Sequence, residues 1–104
     1  MRTLAPHEFR TLMQQPQAYL LDVRLPDEVA HVALPNAVNI LLHELAAHAG
    51  EIPQNRAIAI YCHHGVRSAQ AGWMLERLGH RDVSHLEGGI HAWADTIDPT
   101  LPRY

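Results

Sequence analysis

The chain turns on one stretch, Ile58-Ala59-Ile60-Tyr61-Cys62-His63-His64-Gly65-Val66-Arg67-Ser68. A run of β-forming residues ends at the only cysteine of the protein. A short loop with one glycine follows, and a helical pattern begins at Arg67-Ser68 and runs to Leu78. The segment from Ala57 to Tyr61 is apolar throughout, as in a strand covered on both faces. A strand that delivers a thiol to the start of a helix sets it against unpaired backbone N–H groups and the positive end of a dipole. Both favour thiolate over thiol, and the thiolate is the nucleophilic form. Cys62 is therefore the candidate nucleophile, and the loop after it is the candidate active site.

Working outward, strands alternate with helices. Thr3 to Met13 reads as a helix with Pro6 at its first position, Glu8 in its first turn, and Ala5, Phe9, Leu12 and Met13 on one face. Tyr19 to Arg24 is a short buried strand closed by charge, and Pro26 to His31 is a helical turn. Ala37 to Ile40 is another strand. His43 to Ala49 is a helix with Leu42, Leu45, Ala46 and Ala49 on one side, and Gly50 stops it. After the Cys62 loop, the helix from Arg67 packs Ala71, Met74, Leu75 and Leu78 inward and ends at Gly79. Val83 to Leu86 is the last strand, and Gly88-Gly89 turns into Ile90 to Ala94. Trp73 and Trp93 are read as packing residues, and the turn-rich tail from Asp98 to Tyr104 as lying over the surface. The pattern predicts a single α/β domain over residues 1–104, with three layers: a parallel sheet of roughly five strands with helices on both faces. In such folds ligands sit beyond the carboxyl ends of the strands. Asp22, Arg24 and Glu87 end their strands there, as Cys62 does, and the spacing predicts that they converge on one cleft.

Composition narrows the function. Across 104 residues, 47% are hydrophobic and 18% charged, which suits a folded domain. No apolar run approaches the roughly 20 residues of a membrane span. The N-terminus lacks an apolar export core. One cysteine makes no internal disulfide, so the expected compartment is a reducing cytoplasm, and it cannot build a multi-cysteine zinc site. The net charge of −3 with neutral histidines offers no basic surface for nucleic acid. Nine histidines would take that charge from −3 to +6 if all were protonated, so the surface field depends on pH near 6–7.

These residues resemble the rhodanese homology domain. The resemblance lies in Cys62-x-x-Gly65-x-Arg67-Ser68, in Leu86-Glu87-Gly88-Gly89-Ile90-x-x-Trp93 and in Leu21-Asp22-Val23-Arg24-x-x-x-Glu28. Pro35-Asn36-Ala37-Val38-Asn39-Ile40 stands where the family has Gly-His-Ile-Pro-Gly-Ala-x-Asn; the family's Gly-His pair is here Val32-Ala33, and Asn36 replaces its second glycine. Asn36 can take the positive φ that glycine supplies. The six-residue loop from Cys62 to Arg67 is similar to that of the family's sulfur-transfer members, whereas the related phosphatases have one residue more.

The resemblance implies a sulfurtransferase. Cys62 thiolate takes the outer sulfur of a donor such as thiosulfate and passes it to cyanide or a thiol, with no cofactor and no metal. The amides of His63, His64, Gly65, Val66, Arg67 and Ser68 would surround the persulfide. Arg67 is expected either to bind the anionic donor or, as the favoured role, to pair with a carboxylate such as Glu87 or Asp22 and hold the loop closed, and Asp22 to orient loop amides or Arg67. Ser68 is expected as a helix cap or hydrogen-bond donor, and His63 and His64 as diverging side chains, one of which attracts an anion when protonated. Two alternatives stand beside this: a carrier or sensor that takes persulfide from a protein donor, and a phosphatase or arsenate reductase. The expected partners are small sulfur donors and acceptors, the expected state a monomer or weak dimer.

Overall fold

The computed structural model describes residues 1–104, and its strands and helices alternate from the first residues. Strands β1 (Arg2–Leu4), β2 (Tyr19–Asp22), β3 (Val38–Asn39), β4 (Ile58–Tyr61) and β5 (Val83–Leu86) form one sheet in the order β1-β5-β4-β2-β3. Every pairing is parallel. Helices α1 (Pro6–Met13), α2 (Pro26–His31), α3 (Leu45–His48), α4 (Val66–Arg77) and α5 (Gly89–Thr96) connect them, and short 3-10 turns flank α3. Parallel strands require such crossovers, which cover both faces of the sheet.

Alternation along β4 divides the core in two. Ala57, Ala59 and Tyr61 point to one layer with Phe9 and Leu12 of α1 and Ile90 and Trp93 of α5.

 Ile58, Ile60 and Cys62 point to the other layer, with Leu45 of α3 and Ala71 and Leu75 of α4. The thiol thus sits at the end of the α4 side of the sheet's central strand.

Two helices start alike. Pro6 and Pro26 each open a helix, where a missing N–H costs nothing. Glu8 accepts from the Ala5 N–H at 3.0 Å and Glu28 from the Leu25 N–H at 3.1 Å, so each start is closed by its own first turn. Asn36 has φ 67°, the left-handed conformation expected for it.

Four expectations change. Arg2–Leu4 is an edge strand on β5, not the lead into a helix; only Leu4 of its three residues is buried, too short a pattern to show a period. The segment expected as one helix over His43–Ala49 is α3 between two 3-10 turns; Gly50 lies inside the second, and Ala46 is exposed. Helix α4 starts at Val66, one residue early, because Gly65 at φ 104° turns the chain into it. Trp73 and Leu78 are 58% and 45% exposed rather than packed, whereas Ala71, Leu75 and Trp93 are buried.

Candidate active site

Cys62 follows β4 directly, and its residue is 1% exposed. Its sulfur accepts the N–H groups of Gly65 at 3.1 Å and Ser68 at 3.3 Å. The Ser68 hydroxyl stands 3.5 Å from the sulfur and donates to the Gly65 carbonyl at 3.2 Å. The loop therefore curls around the sulfur with two of the six expected amides, those of Gly65 and Ser68, on it, while the sulfur itself lies at the floor of the cup.

Helix α5 keeps the carbonyls out of that cup. The Ile90 N–H donates to the Cys62 carbonyl at 2.9 Å and the His91 N–H to the His63 carbonyl at 3.1 Å. Gly89 makes this approach possible. A Cβ there would lie 2.3 Å from the His63 oxygen, and its φ of +64° is left-handed. The first amides of one helix thus orient the loop that opens another.

Two arginines are committed to carboxylates. Arg67 makes a two-pronged pair with Glu28, at 2.6 and 2.9 Å. That pair, together with the Leu25 N–H and the Tyr104 hydroxyl, outweighs burial and pushes the Glu28 carboxyl down to about 2. Arg24 is buried against Asp22, with Nε 2.9 Å from Oδ1 and Nη2 2.7 Å from Oδ2. It also donates to the Val32 carbonyl at 2.8 Å and the Tyr104 hydroxyl at 2.9 Å.

Residues 5–96 match the rhodanese-like domain family. The chain belongs to that family. It is similar to a sulfurtransferase of Allochromatium vinosum, 41% identical over 75 residues, which are 72% of this chain and 70% of that protein. It also resembles the probable adenylyltransferase/sulfurtransferase MoeZ of Mycobacterium tuberculosis, 33% identical over 98% of this chain but spanning only 27% of that protein. The crystal structure of a rhodanese-like domain protein from Staphylococcus aureus matches with a TM-score of 0.83 at 30% identity, covering 100% of this chain and 99% of that one.

Within this rhodanese-like domain, several predicted roles move. The partner of Arg67 is Glu28, not Glu87 or Asp22, because α2 brings Glu28 across the loop. Asp22 holds Arg24 instead of the loop amides. Glu87 is exposed, and its backbone N–H pairs with the Leu4 carbonyl at 2.8 Å. Ser68 lies within α4 rather than capping it and takes the other expected role, donating its hydroxyl to the Gly65 carbonyl. The His63 and His64 rings do not diverge: their centroids are 3.8 Å apart. Val66 is 69% exposed and presents its side chain to solvent.

Four residues near the site were not singled out beforehand: Glu28, His85, His91 and Tyr104. Glu28 stood in the Asp-x-Arg segment without a role. Tyr104 stacks on His63 with centroids 3.7 Å apart and planes 8° from parallel, a tail contact that no periodicity announces. His63, His64 and His91 each bring a ring nitrogen within 4.8 Å of the others, the one cluster with the donors for a metal ion. The His63 and His64 rings lie close with their planes tilted by 35°. Burial, and then the neighbouring His64, push the His63 ring below its ordinary value of 6.5.

Proposed function

We propose that this domain moves sulfane sulfur through a persulfide on Cys62. The supporting observation is the sulfur held by the Gly65 and Ser68 amides in a six-residue loop. The Cys62 thiolate attacks the outer sulfur of thiosulfate; the sulfur–sulfur bond of the donor breaks, sulfite leaves with the bonding pair, and Cys62 carries a persulfide anion. Cyanide or a thiolate then attacks the outer sulfur and releases the Cys62 thiolate. Each half-step conserves charge and needs no cofactor. The inward amides offset the anion in both states, as preorganised dipoles do.

A second reading draws on the charges at the mouth. Arg67 and Arg24 are both committed to carboxylates, and the protein has no lysine. A small dianion therefore meets little free positive charge, which favours a protein persulfide as donor. On the single cysteine we propose a reducing cytoplasm for the domain, and we propose a monomer or weak dimer. No helix is long and apolar enough to cross a membrane.

Intact-mass analysis tests both readings. Thiosulfate should add one sulfur atom, cyanide should remove it, and Cys62→Ser should show neither. Slow loading by thiosulfate with fast loading by a protein persulfide selects the second reading. Cys62-dependent hydrolysis of p-nitrophenyl phosphate, with no sulfur uptake from either donor, would overturn both.

A further inference from the structure

A nearly sealed thiol must still exchange its proton. Cys62 is 1% exposed, yet a chain of hydrogen-bonding groups leads away from its sulfur. The Ser68 hydroxyl is 3.5 Å from the sulfur and 2.9 Å from His85 Nδ1. His85 Nε2 is 3.1 Å from the Thr3 hydroxyl. Thr3 is an exposed residue of β1, the edge strand, and it pairs in register with His85 of β5.

We propose that Ser68, His85 and Thr3 form a proton path between the buried Cys62 sulfur and solvent at the sheet edge. Ser68 touches the sulfur; His85 acts through Ser68 and is a positioning residue for the proton. The proposal rests on the reading of Cys62 as a nucleophile.

The protons balance along this line. The thiol gives its proton to Ser68 Oγ as the Ser68 hydroxyl proton passes to His85 Nδ1. The Nε2 proton passes to Thr3 Oγ1, and the Thr3 hydroxyl proton leaves to water. The sulfur becomes a thiolate, and His85 ends as the other neutral tautomer, with its Nδ1–H directed at Ser68. That tautomer frees the Ser68 hydroxyl to donate to the thiolate or the persulfide anion. The Ser68 hydroxyl carries one proton and rotates, so it turns from the Gly65 carbonyl to His85 Nδ1 in the tautomer that accepts there. Burial pushes His85 below the ordinary histidine value, with Glu87 opposing, so the ring rests neutral and offers one donor and one acceptor.

The test compares two variants by alkylation of Cys62 with a neutral electrophile at neutral pH. This reads the thiol itself, so it fails or succeeds separately from sulfur transfer. His85→Gln keeps a hydrogen-bonding side chain but cannot take a proton on one atom and release it from another; His85→Phe removes both functions. A proton path predicts that both slow alkylation by about a hundredfold, the low side of what a positioned acid–base group contributes. A merely structural His85 predicts that Gln keeps the wild-type rate, and that result overturns the proposal. Nitrogen NMR of the unaltered protein gives a reading that needs no variant: the His85 tautomer should change as Cys62 is titrated from thiol to thiolate, and an unchanged tautomer across that titration refutes the path.

Discussion

Replacing Asp22 with Asn should unfold this protein more readily than any change at the loop surface. The Asp22 and Arg24 side chains are 1% and 0% exposed, so neither charge has water to fall back on. Asp22 accepts the Arg24 Nε and Nη2 groups and the Arg24 backbone N–H at 3.0 Å. Asn keeps the shape and one acceptor but leaves the guanidinium charge uncompensated. Breaking one side of a buried pair costs about 3–5 kcal/mol. We expect the low end, about 3 kcal/mol, because the Val32 carbonyl and the Tyr104 hydroxyl still accept from Arg24. A domain this size has a total stability on the order of 5–15 kcal/mol, so a large share is lost. At about 4–8 °C per kcal/mol, the thermal midpoint should fall by roughly 12–24 °C. Thermal and urea unfolding followed by circular dichroism measure both quantities. A fall under about 5 °C would refute the reasoning, since the pair would then be acting like an exposed one.

Four further outcomes follow from the site. Arg67→Ala should cost about 1 kcal/mol, because that pair is partly exposed. It should also move acid unfolding to higher pH: Glu28 is lowered in the folded state, so its contribution is present above about 4.5 and is lost as pH falls toward about 2. Urea titrations across that window measure the change. Gly89→Ala should cut persulfide formation by about tenfold or more, since its Cβ would push the His63 carbonyl and turn the loop amides; stopped-flow loading checks this. Tyr104→Phe should cost about 1 kcal/mol through the lost hydroxyl bonds to Arg24 and Glu28, with its ring still stacked on His63; unfolding curves decide it. Loading by thiosulfate should rise only below about pH 6.5, because His63 is held below its ordinary value, and a His63→Asn/His64→Asn protein should lose the rise.

The layered fold was legible because its signals are local. The apolar β4 run, the glycine after Cys62 and the periodic face of α4 each report their own backbone. Edge strand β1 was not, since its pairing with β5 is made across more than eighty residues of chain and only Leu4 is buried. The same divide holds at the site. Cys62, Gly65 and Ser68 lie within one short stretch, and their contacts could be read from it. Glu28 reaches Arg67 from another helix, His85 meets Ser68 from another strand, and Tyr104 arrives from the tail; each partner is set by tertiary packing. The Trp73 expectation failed for a related reason. A large aromatic on a helix reads as core, but its face of α4 has no layer above it.

The division of β4 between two layers limits how this domain can vary. Successive side chains go to opposite sides, so adding or deleting one residue between Ile58 and Cys62 would send the thiol to the α1 and α5 side, away from the amides of α4. A one-residue change in this strand moves every side chain after it to the opposite layer. The spacing that aims the sulfur is therefore inherited as a parity.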